Sequence, residues 1–184
     1  MRSNIITEYY PNGQIKHQIW IKNSIPHRNN DKPALVCYYP NGQIMCQKWY
    51  KNGKLHRNRN KCATIWYYEN GQVTYQKWYK NGRIYREGDK PAYIEYYKNG
   101  QIKYQKWYKN DKVHRDNDKP ALIWYYENGQ LWCQKWCKDD ILHRDNNKPA
   151  YIAYYKNGQI ECQYRYKNGV REELQEYWER INEE

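Results

Sequence analysis

Five histidines, six cysteines and a set of Asp-containing loops are the residues of this 184-residue chain that chemistry would use. His27, His56, His114 and His143 each precede an arginine in a repeated His-Arg pair, and His17 stands apart. A general base is one residue placed against one substrate, so four identical copies argue for a structural duty, with stacking on a neighbouring tryptophan as the expectation. Asp116-Asn117-Asp118 has the alternating oxygen ligands of a calcium loop. It lacks the downstream carboxylate, and another copy reads Asn58-Arg59-Asn60, so turn chemistry explains it better. Cys46, Cys133 and Cys162 share one column in which other copies carry His17, Tyr75 or Tyr104. A position interchangeable with tyrosine is a packing position, not a metal ligand or part of a disulfide framework. Phosphate-binding glycine loops, nucleophile elbows and zinc spacings do not occur in the sequence. The expectation is a non-enzymatic chain with no catalytic residue, cofactor or metal.

The elements that carry these residues are repeated. Gly13, Gly42, Gly71, Gly100, Gly129 and Gly158 lie 29 residues apart, each inside Asn-Gly-Gln. A constant period without insertions means one small unit copied and stacked. In the copy from Pro91 to Asp118, Ala92 to Tyr97 reads as a strand opening after a proline. Asn99-Gly100 predicts a two-residue hairpin turn with both residues at positive φ, and Gln101 to Lys109 is the returning strand. This register sets Tyr97 opposite Ile102, Tyr96 opposite Lys103, Ile94 opposite Gln105 and Ala92 opposite Trp107. A second turn falls at Asn110-Asp111, with equivalents at Gly53, Gly82 and Gly169, and sets Trp49 opposite His56 and Tyr50 opposite Leu55. Two hairpins per unit give about twelve in an elongated all-β antiparallel meander over residues 1–169.

Copied along the array, columns become ladders. Trp20, Trp49, Trp78, Trp107 and Trp136 form one that Arg165 ends, and with Tyr96 they make the candidate binding face. Gln18, Gln47, Gln76, Gln105, Gln134 and Gln163 form another. A lone hairpin is marginal in water, so stability must accumulate across neighbouring copies. The chain has 23 Tyr and 9 Trp but no Phe, which suits half-wet surfaces better than a deep interior.

The ends differ from the middle. Leu174, Tyr177, Trp178 and Ile181 recur at helical spacing and predict an amphipathic capping helix over 170–184. The opposite end, with Ile5 and Tyr9, would present a bare strand edge, met most simply by its twin in a homodimer. Net charge is +12 although the segment from Val170 onward carries −4, so the repeat body would attract nucleic acid or an anionic membrane surface, or simply stay soluble. Free thiols and a repeat beginning within a few residues of Met1 suit a reducing intracellular compartment without a signal peptide, and no apolar run approaches transmembrane length.

The pattern Tyr-Tyr-x-Asn-Gly-Gln, then Trp-Tyr-Lys-Asn-Gly-Lys-x-His-Arg, then Asp-Lys-Pro-Ala, resembles the variant class of MORN (membrane occupation and recognition nexus) repeats. Copies with His-Arg and Pro-Ala are similar to those of giant-virus and bacterial proteins, and the Lys-, Asn-, Ile- and Tyr-rich composition fits a giant virus, hence host cytoplasm or nucleus. Departures are Ser24, Asp111 and Asp140 for the second glycine, Tyr85 for histidine and Cys62 for proline. The resemblance implies a scaffold, a lipid-associated module or a partner-binding surface, with the partner an unknown protein.

Overall fold

Every strand pairing in the computed structural model is antiparallel, and the structure describes residues 4–172. Strands β1 (Asn4–Tyr9) and β2 (Ile15–Lys22) open a fourteen-stranded sheet whose members follow one another in chain order. Each later copy adds two strands, as with Tyr93–Tyr96 and Ile102–Lys106. Ile94 pairs with Gln105 within its own hairpin and with Gln76 of the preceding one, so the glutamine column runs across the sheet. Beyond the tryptophan the four interior copies leave the sheet as short two-stranded ribbons, such as Tyr108–Lys109 with Lys112–Val113.

All twelve expected turns are present, but they are of two kinds. The ribbon turns are two-residue turns with both residues left-handed, φ 51° and 73° at Asn52-Gly53 and 51° and 63° at Asn110-Asp111. Asp and Asn tolerate that region, which is why Asp111 and Asp140 can stand where other copies have glycine. The Asn-Gly-Gln turns are different from the expectation. Only the glycine is left-handed there (Gly100, φ 84°), the Gly100 amide donates to Tyr97 O at 2.9 Å, and the Tyr97 amide donates to Gln101 O at 2.8 Å. This is a three-residue loop, a type I turn closed by a left-handed glycine.

The longer loop changes the register near the turn. Tyr96 pairs with Ile102, Glu95 with Tyr104, and Lys103 is the extra residue of a bulge. Ile102 therefore joins Tyr96 and Ile94 on the inner face, where it packs on a core of Cys62, Trp78, Ala92 and Ile94. Ile94 opposite Gln105, Tyr50 opposite Leu55 and Trp49 opposite His56 stand as expected.

At the far end Val170–Glu172 is a strand paired with Ile160–Lys167. The rest of the segment expected to be helical, with Leu174, Tyr177, Trp178 and Ile181, lies outside the described residues.

Candidate partner-binding surfaces

The tryptophan column is core, not an open face. Trp49, Trp78, Trp107 and Trp136 are 5–7% exposed. The arginine of each His-Arg pair, and Arg86 after Tyr85, sits over the ring, with the guanidinium carbon 3.6 to 3.9 Å from the ring centre at Trp20, Trp49, Trp78, Trp107 and Trp136. The sequence expectation gave that stacking to histidine, but arginine does it. Its planar, weakly hydrated cation covers an indole better than imidazole does. Trp49, Trp78 and Trp136 each donate the indole N–H to a carbonyl of the preceding loop at 3.0 Å.

Histidine links loops instead. His56 Nε2 meets Asn58 Oδ1 of its own loop at 2.7 Å, and its Nδ1 accepts the Asn81 amide of the next ribbon at 3.1 Å. His27 and His143 make the same pair of bonds. With Nδ1 accepting a backbone amide, Nε2 is the nitrogen left to donate to the loop oxygen. Such a ring is engaged on both nitrogens.

The Tyr-Tyr pair explains the missing phenylalanine. Its first hydroxyl donates to the glutamine of the preceding copy, as Tyr125 to Gln105 at 3.0 Å, and its second to a carbonyl of the following copy, as Tyr97 to Tyr125 O at 2.8 Å. The same two bonds recur at Tyr67 and Tyr68. Phenylalanine would fill the space but leave these partly buried acceptors without their donor.

The loops are tied by carboxylates. Asp31 Oδ1 accepts Arg57 Nε at 2.7 Å, and its Oδ2 accepts Arg57 Nη2 at 3.1 Å and Lys61 Nζ at 2.7 Å. Asp89 and Asp118 repeat this with Arg115 and Lys119, and with Arg144 and Lys148. Hydrogen bonds from the arginine lead in holding all three carboxyls down at about 2. Asp118 thus serves an inter-repeat ion pair, and among the described residues no group of three or more His, Cys, Asp or Glu is arranged to hold a metal. Cys46 and Cys133 are buried in the sheet, as a packing column requires.

The face opposite the tryptophans is the one that sequence reasoning missed. Rings from successive strands touch in a row: Trp66–Tyr75 at 5.8 Å, Tyr75–Tyr93 at 5.7 Å, Tyr93–Tyr104 at 5.6 Å and Tyr104–Trp124 at 4.5 Å. Lys48, Lys77, Lys106 and Lys135 run beside them at the repeat period, Lys77 lying 5.1 Å from the centres of both Tyr75 and Tyr93. Burial, followed by the charges of Lys106 and Lys48, lowers the Lys77 ammonium pKa, and burial pushes Tyr75 up to about 12. Glu95 lies in this row, but Lys103 takes it at 2.7 Å. The column was detectable as a lysine immediately before each Trp-Tyr or Trp-Cys step, which strand alternation sets on the face opposite the tryptophan.

The other open element is β1, which pairs only with β2 among the described residues. Ile5, Ile6 and Tyr9 are 54%, 51% and 59% exposed.

A fourteen-stranded sheet with its tryptophan column buried and its loops tied by ion pairs is a repeat array. The chain belongs to the MORN repeat variant family, whose sequence model matches residues 4–23, 63–81, 92–113, 122–135 and 150–168. Repeats of this family are non-catalytic and generally serve as protein- or membrane-interaction scaffolds. A comparison with curated proteins gave no match. Among the described residues no helix is long and apolar enough to cross a membrane.

Proposed function

We propose that the chain is a non-enzymatic scaffold that binds a protein partner and self-associates through β1. The observation that carries this is the six-residue β1 edge, which has exposed Ile5, Ile6 and Tyr9 and no strand beyond it among the described residues. Unpaired edge amides and carbonyls beside apolar side chains favour strand addition. An identical β1 running antiparallel about a two-fold axis satisfies both edges at once. Light scattering on the full chain tests this. A dimer that Thr7→Pro converts to a monomer supports it, since proline removes an edge donor. A wild-type monomer at tens of micromolar contradicts it.

The lysine column favours a second reading, contact with a polyanion, either nucleic acid or an anionic membrane. The rings beside it stack on one another, which leaves phosphate contacts rather than base stacking as the means of binding. Affinity for an oligonucleotide that does not fall between low and physiological salt would remove the nucleic-acid form of it, and recovery wholly in the supernatant of anionic vesicles would remove the membrane form. Free thiols support a reducing intracellular setting, and composition supports a viral source acting in host cytoplasm or nucleus.

A further inference from the structure

Among the described Asp-Arg-Lys junctions, one lacks its carboxylate. Asn60 stands in the register of Asp31, Asp89 and Asp118, so an amide occupies the position that for Arg86 and Lys90 corresponds to Asp31 for Arg57 and Lys61. An amide cannot substitute, because it offers one oxygen where Arg57 and Lys61 use two, and its other atom is a donor facing donors. The atoms show the consequence. Arg86 Nε and Asn60 Oδ1 are buried without partners, and Asn60 Nδ2 turns away to Glu87 O at 3.4 Å. Arg86 is held in place all the same, 3.7 Å over Trp78 and donating through Nη1 to Pro91 O at 3.0 Å.

A cleft of about 190 Å³ opens here, and Arg59, Lys80, Tyr85 and Arg86 are among its walls. Glu87 is the one carboxylate among the residues lining it. Tyr85, which replaces the bridging histidine of other copies, is 42% exposed. We infer that this cleft is a receptor for a carboxylate side chain of an acidic peptide, which supplies in trans the group that Asp31, Asp89 and Asp118 supply in cis. The guanidinium fork is pre-organised by its stack and its carbonyl bond, so little order is lost on binding. The site deepens the scaffold reading by giving a partner's chemistry, and it does not use β1. Failure here leaves self-association standing, and a monomeric chain leaves this site standing.

The test is NMR of arginine Nε–H and tryptophan indole signals in the full chain, titrated with hexaglutamate. A saturable shift at Arg86 is expected. Asn60→Asp should fill the site internally and weaken binding by about tenfold or more. That variant keeps a fold the array already uses, since Asp31 and Asp118 adopt the same left-handed backbone, φ 53° and 52° against 55° at Asn60. Asn147→Asp makes the same change of charge in a later loop and should leave binding unchanged. An unmoved Arg86 signal, equal loss in both variants, or equal saturation by inorganic phosphate would overturn the proposal.

Discussion

The two faces of the sheet use the same residue types for opposite ends. On the inner face the rings are roofed by arginine, the indole N–H groups of Trp49, Trp78 and Trp136 reach the preceding loop, and Trp107 is 6% exposed. On the outer face the rings lean on one another in a row, with lysines half-buried between them. The inner face converts aromatic side chains into contacts between copies and so carries stability. The outer face keeps lysine ammonium groups beside its rings, and no ion pair to Lys48, Lys77, Lys106 or Lys135 forms among the described residues. Aromatic content alone does not separate these duties; the partner of each polar atom does.

Breaking the inner face should have the largest effect. Trp107→Ala removes a buried indole and strips Arg115 of its stack, and should cost about 3–5 kcal/mol in urea unfolding. Truncating the outer-face Lys77 to alanine should change stability by less than about 0.5 kcal/mol. Comparable losses at both positions would erase the distinction between the faces.

A smaller effect is expected at the stitches. Tyr125→Phe keeps the ring but leaves Gln105 Oε1 without its donor, and should cost about 1–2 kcal/mol by the same measurement. Phenylalanine at the neighbouring Tyr126 should do likewise through the Tyr154 carbonyl.

The smallest effect is the acid response of the loops. Asp31, Asp89 and Asp118 have carboxyls lowered to about 2 in the folded chain, against an unfolded value near 3.9. Their contribution is present above the unfolded value and is lost as pH falls from about 4 towards 2. These carboxylates are 41–42% exposed, so each junction should contribute no more than about 1 kcal/mol. Asp118→Asn should flatten the pH dependence of thermal unfolding over that window, and Asn60→Asp should steepen it.

Much of this was legible in the sequence, because a constant period exposes columns. The twelve turns, the glutamine and tryptophan ladders and the packing role of the cysteine column follow from it directly. What escaped were features set by single backbone angles and by contacts between copies. Asn99 is not left-handed, so the loop gains a residue, Lys103 is expelled as a bulge, and Ile102 changes face. Arginine and histidine are adjacent in four copies, and only the fold distinguishes the one that covers tryptophan from the one that bridges loops. The empty junction at Asn60 was visible as a departure from Asp, but its meaning depends on Arg86 lying 26 residues further on.

The central claim is that the inner face builds the array while β1 is left free to join another. Amide hydrogen exchange of the full chain at two concentrations, one well below and one well above tens of micromolar, tests it most directly. Slower exchange confined to Asn4–Tyr9 at the higher concentration, with the Trp49 and Trp107 amides protected equally in both, is the predicted result. Exchange in β1 that does not respond to concentration would contradict it.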